Sequence, residues 1–371
     1  MKKTGISWTD ITWNITRGCR RTSAKGAKKS GCGDASGGGC YAERQAARFC
    51  GKGQAYEGLV KLTAKGPRWT GDTRFVVELL LRPLSWRKPM RVFVDSMSDL
   101  FYDGFTDEQI AMVFAAMGMA HWHTFQVLTK RMARARALLT SDAFYQKVLA
   151  AAARLRADMG QKRWKTYPEN HKHPSGIDWP LPNVWIGTSV EHQEAADERM
   201  PDLVATPAAL RFVSAEPLLG PVDLTPWLGE GGRPVEDSPA PTPTLRSKGR
   251  PRPAKSNLAA GDVAEPQPRH GVINRAAGPP SPLSWVITGC ESGPRSRLTD
   301  VAWLRDLRDQ CARADVPLFL KQAVATPGQL AAGCVATWVV GADTGSRHKR
   351  GGLIEQAYLD GRQHAAFPEV N

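Results

Sequence analysis

Three cysteines near the start of the chain have the residue type and the surroundings that suit a metal centre. Twelve residues separate Cys19 from Cys32 and seven separate Cys32 from Cys40, and most of them are glycine, alanine, lysine or small polar residues. Because the chain has no close Cys-x-x-Cys pair here, the spacing by itself is a weak metal signal. Lengthening a loop costs only ~0.6 kcal/mol per doubling, however, so three thiolates can still meet at one centre.

A set of three cysteine ligands fits two kinds of centre. A 4Fe–4S cluster held by three cysteines keeps one iron open to a substrate or cofactor, and a zinc ion with three protein ligands likewise keeps an open position. The alternative is three ordinary thiols, one or more of them buried as small apolar side chains. The chain has seven cysteines in total, an odd number that makes a poor disulfide framework, so we expect reduced thiols in the cytoplasm.

Length and composition limit the class of protein. With 371 residues, of which 42% are apolar, the chain can form one large domain or two of ordinary size. It has no apolar run of about 18 residues and no apolar segment behind its basic start, so we expect neither a membrane span nor a secretory signal. The formal charge of +14 has two interpretations, namely contact with DNA or RNA, or basic residues that only aid solubility.

Short apolar runs alternate with helical periodicity along most of the chain. We predict strands at residues 91–95, 124–129, 184–188, 210–214, 285–288 and 317–320. We predict helices at residues 107–120, 131–139, 195–203 and 301–314. This alternation indicates an α/β fold with a parallel sheet, which is either a barrel or a doubly wound sheet.

Polar side chains follow every one of these predicted strands. The residues that we take as candidates for the site are Asp95, Ser98, Asp99, Lys130, Arg131, Glu191, Glu216 and Glu291. Because α/β barrels bind ligands at the carboxyl ends of their strands, we predict that these residues converge on one site. The alternative is that some of them are helix caps or pair as ions at the mouth of the barrel.

Two parts of the chain differ from this pattern. Residues 229–282 are rich in proline, glycine, alanine and basic residues and have few aromatic or β-branched residues, so we predict a disordered insertion. We therefore expect a single barrel-like domain over residues 1–228 and 283–335, and a C-terminal extension over residues 336–371.

Many ordered blocks of the sequence resemble the phage gene product 37/68 family, also called domain of unknown function 5131. The blocks are Ser7-Trp-Thr-Asp10, Thr12-Trp-Asn14, Gly18-Cys19, Cys40-Tyr-Ala-Glu43, Asp95-Ser-Met-Ser-Asp-Leu-Phe101, Thr124-Phe-Gln-Val-Leu-Thr-Lys-Arg131, Trp185-Ile-Gly-Thr-Ser-Val-Glu191, Ser214-Ala-Glu-Pro-Leu-Leu-Gly220, Trp285-Val-Ile-Thr-Gly289, Glu291-Ser-Gly-Pro294 and Phe319-Leu-Lys-Gln322. The resemblance implies a phage- or prophage-encoded protein, and this family has no settled activity that can be transferred.

That family is in turn distantly similar to radical S-adenosylmethionine (SAM) enzymes, particularly to the spore photoproduct lyase branch, where a tyrosine also follows the last cluster cysteine. The resemblance implies a partial or complete TIM-like barrel, a 4Fe–4S cluster on Cys19, Cys32 and Cys40, and an external reductant. It also implies reductive cleavage of SAM to a 5′-deoxyadenosyl radical. The substrate class that we consider is a nucleic acid or nucleotide.

The chain departs from the radical SAM pattern in two places. Radical SAM enzymes usually place three and then two residues between their cysteines, whereas the loop around Cys32 is expanded here, and relatives tend to have glycine where this chain has Cys290. From position alone, we assign catalytic roles to Lys130, Glu191, Glu216 and Glu291. We assign cofactor binding to Asp95, Ser98, Asp99 and Arg131.

Two other functional hypotheses remain open at this point. The first is a zinc-centred hydrolase or nuclease that uses the same three thiolates. The second is a non-catalytic protein that binds nucleic acid and has purely structural cysteines.

Overall fold

The computed structural model describes residues 4–28, 30–33, 39–159, 177–229, 283–291, 297, 299–323, 358–359 and 362–368. The insertion predicted at residues 229–282 lies outside these ranges except for its first residue, and so does most of the predicted extension at residues 336–371. The domain boundaries therefore stay a prediction. No helix in the described ranges is both long enough and apolar enough to cross a membrane.

The described residues form thirteen strands, most of them short. They are β1 (Ile11–Trp13), β2 (Thr16–Arg17), β3 (Val60–Thr63), β4 (Gly66–Trp69), β5 (Arg74–Phe75), β6 (Arg91–Val94), β7 (Thr124–Thr129), β8 (Val184–Ser189), β9 (Leu210–Ala215), β10 (Trp285–Gly289), β11 (Leu318–Gln322), β12 (Tyr358–Leu359) and β13 (Arg362–Gln363).

Seven α-helices lie among these strands in the described ranges. They are α1 (Tyr41–Ala46), α2 (Asp107–Met119), α3 (Met132–Leu139), α4 (Asp142–Met159), α5 (Gln193–Val204), α6 (Thr225–Leu228) and α7 (Val301–Arg313). Side-chain hydrogen bonds to backbone amides cap the N-termini of several of these helices. In α2, for example, Thr106 and Gln109 exchange hydrogen bonds between side chain and backbone at 3.0 and 3.2 Å, which satisfies two amide groups at the helix start.

The main sheet contains seven parallel strands in chain order, β1-β6-β7-β8-β9-β10-β11, and curls into half of a barrel. This confirms the predicted α/β fold and its partial TIM-like form. All six predicted strands and all four predicted helices are present, with ends that differ by at most two residues. The two-residue pair β2–β5 and the hairpin β3–β4 lie outside the main sheet.

The sheet has two different apolar faces. Alternate strand residues such as Val92, Val127 and Val213 pack with helix residues in the main core. The residues between them, together with Trp8 ahead of β1, form a mainly aromatic cluster without helix residues, which includes Phe93, Trp185, Phe212, Trp285 and Phe319. Because helices cover only the first face, the aromatic cluster fills the inside of the half-barrel.

Gly187 makes room for this aromatic filling. A Cβ atom at Gly187 would lie 2.6 Å from atoms of the Phe212 ring, closer than any real contact. The absence of a side chain on β8 therefore lets the ring of β9 lie flat against it. Beyond this aromatic layer, toward their carboxyl ends, the strands are followed by polar residues.

The helix α4 and the strand β1 are additional to the predicted elements. In α4 the buried residues Phe144, Val148, Ala152 and Leu155 recur at helical spacing, so the pattern was readable in the sequence. The strand β1 has only three residues, which is too short for periodicity to reveal it. Its pairing with β6 defines it instead.

Candidate functional site at the carboxyl edge of the sheet

The carboxyl ends of the strands are level because of their register. The last paired residues are Trp13 with Val94, Thr129 with Thr188, Ser189 with Ser214, Ala215 with Thr288 and Gly289 with Gln322. Since every pairing is parallel, the polar residues that follow these positions lie at one edge of the sheet. The structure therefore brings the predicted candidates to a common edge.

A tight turn presents Cys19 at this edge. Gly18 has a φ of +87°, and a Cβ atom there would lie 2.1 Å from the carbonyl oxygen of Asp72, so the turn requires glycine. Arg131 Nη1 lies 4.0 Å from Cys19 Sγ. Burial and Asp99 raise the pKa of Cys19, whereas Arg131 lowers it. Arg131 is therefore the cation that stabilises a thiolate at Cys19.

Cys32 and Cys40 are neighbours of Cys19 in this loop region. Ser30 Oγ donates to the carbonyl of Thr22 at 2.8 Å and accepts from the amide of Cys32 at 3.1 Å, which ties Cys32 to the chain that follows Cys19. Cys32 raises the pKa of both other thiols, and together with burial, the larger cause, it raises the pKa of Cys40 to about 11. All three thiols are free and partly exposed.

The three sulfur atoms do not form a closed ligand set. In the described ranges, no group of three or more His, Cys, Asp or Glu side chains is close enough together to hold a metal ion. Residues 34–38, which connect Cys32 to Cys40, lie outside those ranges. The ligand role of the cysteines therefore stays a prediction.

A buried charge network lies directly beneath the Cys32 loop. One carboxylate oxygen of Glu191 accepts from Lys130 Nζ, and the other accepts from Arg199 Nη1 at 2.9 Å. Glu191 is 0% exposed and Arg199 is 2% exposed. Burial lowers the pKa of Lys130 to about 8 and also lowers that of Arg199, whereas Cys32 and Asp99 raise both. The carboxylate of Glu191 is the group to which both cations are hydrogen-bonded.

This network also touches the cysteine loop. A Cβ atom at Gly31 would lie 2.6 Å from Glu191 Oε1 and 3.1 Å from Lys130 Nζ. The backbone next to Cys32 can therefore approach the ion pair only because Gly31 has no side chain. The position of Cys32 thus depends on the geometry of the Lys130–Glu191 pair.

Asp99 connects two strand ends. It accepts from Thr129 Oγ1 at 2.7 Å, from the amide of Lys130 at 3.1 Å and from Arg131 Nη1 at 2.8 Å. Asp99 therefore fixes the residues after β7 and, through Arg131, the cation beside Cys19. This arrangement makes Asp99 a positioning residue, while its predicted contact with a cofactor stays a prediction.

Asp95 and Ser98 lie beside the end of β1. Asp95 Oδ1 accepts from the amide of Thr16 at 2.9 Å, and the hydroxyls of Thr16 and Ser98 are hydrogen-bonded to each other. Asp95 Oδ2 is buried and has no hydrogen-bond partner among the described residues. Asp95 also has a φ of +57°, a conformation that Asp and Asn tolerate better than most residues.

Asp95 makes the stability of the protein depend on pH. Burial raises its pKa to about 7, although the amide of Thr16 lowers it, compared with about 3.9 in an unfolded chain. The folded state therefore binds this proton more tightly, and the associated stability is lost as the pH rises from about 4 through about 7. We expect the free energy of unfolding of Asp95→Asn, relative to that of the wild type, to rise by about 1–3 kcal/mol as the pH increases from 5 to 8.

Urea unfolding at several pH values measures this gain. Asn preserves the acceptor for Thr16 and tolerates the backbone conformation, so the variant isolates the charge. Asp158→Asn, at an exposed position of α4, is the matched control and should show no such trend. A difference between Asp95→Asn and the wild type that stays constant with pH would contradict the raised pKa.

The last two predicted carboxylates form separate ion pairs. Glu216 binds Lys321 Nζ at 2.5 Å. Glu291 binds Arg297 through contacts of 2.9 and 3.0 Å, and Arg297 Nη1 also donates to the carbonyl of Ser30 at 3.0 Å. The end of β10 is thereby connected to the cysteine loop. All four residues with a predicted catalytic role, Lys130, Glu191, Glu216 and Glu291, form ion pairs with other residues of the chain. Their catalytic roles stay predictions.

Sequence reasoning missed Arg199. It lies on α5, whose buried residues are Ala195, Ala196, Arg199, Met200 and Leu203. A charged residue on the apolar face of a helix was therefore the available signal. The sequence does not indicate that Glu191 is its partner, because that contact depends on how α5 packs against the end of β8.

The model of a family described as "Protein of unknown function (DUF5131)" matches residues 3–368. No curated protein and no solved structure matches the chain. Since the match covers nearly the whole length, the chain belongs to the DUF5131 family of proteins of unknown function.

Proposed function

We propose that this protein is an iron–sulfur enzyme of the radical SAM type, in which Cys19, Cys32 and Cys40 hold a 4Fe–4S cluster. One observation carries the proposal. Three free, partly exposed thiols lie in one loop region at the carboxyl edge of a parallel half-barrel, where such barrels perform their chemistry. A cytoplasmic location and a phage or prophage origin belong to the same proposal, the first because of the cysteine pattern and the second because of the resemblance.

The residues around the thiols fit this donor set. Three thiolates on one centre bring together negative charge, and Arg131 beside Cys19 and Lys130 beneath the Cys32 loop are the cations that offset it. Lys130 is itself a neighbour of the thiols, since Cys32 and Cys40 both raise its pKa. The nearby acids, Asp99 and Glu191, are already paired with these cations. Arg199 shares Glu191 with Lys130, so three cations face two carboxylates here and one positive charge remains to offset an anionic cluster.

A cluster with three cysteine ligands and S-adenosylmethionine together supply one-electron radical chemistry. The tasks of this chain's own residues are binding and orientation. The thiolates bind iron, Asp99 holds Arg131 in place, and the Lys130–Glu191 pair supports the loop next to Cys32. The buried aromatic filling of the half-barrel closes the opposite side of the site to water.

Metal analysis of anaerobically purified protein tests the proposal. After reconstitution with iron and sulfide, we expect a brown protein with about four irons and four sulfides per chain. After reduction with dithionite, addition of SAM should change the electron paramagnetic resonance spectrum of the cluster. A colourless, iron-free protein would contradict the proposal, and stoichiometric zinc in its place would favour a zinc-centred hydrolase.

A further inference from the structure

A strongly cationic cleft opens next to Cys19. It has a volume of about 450 Å³ and lies between the loop after Cys19, the start of α3 and one side of α5. Its six cationic side chains are Arg20, Arg21, Lys130, Arg131, Arg134 and Arg199. Its three carboxylates are Asp103, Glu198 and Asp202. Cations therefore outnumber carboxylates two to one in its walls.

Contacts outside the cleft weaken the opposing negative charge. Asp202 pairs at 3.0 Å with Arg136, which is not part of the lining, and Glu198 Oε2 accepts from the amide of Lys25 at 2.6 Å. By contrast, Lys130 and Arg199 share the single carboxylate of Glu191. Outside the lining, Arg21 pairs with Glu43, Arg131 with Asp99 and Arg134 with Asp107. Arg20 is therefore the cation of the cleft that no described carboxylate offsets.

Two of the arginines have donors available. Arg20 is exposed, and its guanidinium makes no hydrogen bond or ion pair with another described residue. Arg199 is almost fully buried, and its Nε has no hydrogen-bond partner among the described residues, since the carboxylate oxygen of Glu198 that it faces lies 3.9 Å away. A buried donor without a hydrogen-bond partner destabilises a protein. The oxygens of an anionic ligand would accept hydrogen bonds from these donors.

The backbone adds further donors on the same side. Met132, Ala133 and Arg134, the first three residues of α3, all line the cleft. As in any α-helix, the first amide groups of α3 have no partner within the helix. No side chain caps this helix, and its first turn has no acidic residue. Free amides together with the helix dipole favour an anion at this end.

We propose that this cleft binds a phosphate group of the substrate, so that the enzyme acts on a phosphorylated molecule of about nucleotide size. Tetrahedral phosphate accepts several charged hydrogen bonds at once, which suits guanidinium groups and helix amides on facing walls. The volume lies within the range of about 300–1,000 Å³ that is typical of small-molecule sites. Only the statement that the ligand is the substrate rests on the proposed function, because anion binding needs no iron.

Calorimetric titration of the full-length protein, after anaerobic reconstitution with iron and sulfide, tests this inference. The probes are inorganic phosphate, adenosine 5′-monophosphate and unphosphorylated adenosine. We expect the first two to compete for one site and adenosine not to bind there. Binding should weaken with added salt, because both partners are charged. Arg20→Ala should weaken phosphate binding about tenfold or more, the effect of losing a charged hydrogen bond.

The matched control is Arg154→Ala, which removes an exposed arginine from α4 and should bind phosphate like the wild type. Equal affinities in the wild type, Arg20→Ala and Arg154→Ala would overturn the inference, as would binding of adenosine as tight as that of its monophosphate. Iron content is measured on the same preparations. Phosphate binding without iron would refute the proposed function alone, whereas iron without phosphate binding would refute this inference alone.

Discussion

Replacing Glu191 by glutamine is expected to lower the free energy of unfolding by about 3–5 kcal/mol, the usual cost of removing one partner of a buried ion pair. Glu191 is the shared counter-charge of Lys130 and Arg199 and is itself fully buried. Glutamine retains the size of the side chain but leaves Lys130 without its carboxylate partner and Arg199 with only the more distant Glu198, at 3.9 Å. The loss of stability therefore measures the effect of removing the charge rather than a change in packing.

Urea unfolding at neutral pH, followed by tryptophan fluorescence, measures this effect. The matched control is Glu108→Gln, which breaks the exposed ion pair with Lys147 and should leave the stability nearly unchanged. A loss below about 1 kcal/mol for Glu191→Gln would show that the pair is solvated. Because Gly31 packs against Glu191 Oε1, we also expect a change in the reactivity of Cys32 toward alkylating reagents.

The second large effect concerns the cysteines. We expect Cys40→Ser to reduce the iron content from about four to less than one per chain after anaerobic reconstitution, since a serine hydroxyl replaces a thiolate poorly in an iron–sulfur cluster. Cys19→Ser should behave in the same way. Both thiols lie against the same small apolar cluster as Cys50.

Cys50 provides the matched control for these variants. It is partly exposed like the other two, and its thiol only donates to the carbonyl of Ala47 at 3.3 Å. Cys50→Ser should therefore retain the full iron content. Full iron content in Cys40→Ser would contradict its assignment as a ligand. Iron loss in Cys290→Ser, but not in Cys32→Ser, would identify Cys290 as the third ligand instead of Cys32.

The regular elements of this protein were largely predictable because their signals are local. The run 184–188 has the apolar and β-branched residues of a buried strand, and β8 occupies Val184–Ser189 in the structure. Residues 301–314 show helical periodicity, and α7 spans Val301–Arg313 with Asp300 capping its start. The alternation of strands and helices then implied a parallel sheet. In such a sheet, the polar residues that follow the strands lie at one edge.

The sequence by itself thus indicated the fold class, most strands of the main sheet and the edge at which polar residues follow the strands. Only the tertiary structure decided which charges meet there. Lys130 and Glu191 are 61 residues apart in the chain, and Arg297 and Ser30 are 267 apart. Periodicity assigns a residue to a face of a strand or helix, whereas an ion pair depends on strand order, register and helix packing. For that reason the partner of Arg199 and the cleft beside Cys19 emerged only once the chain was folded.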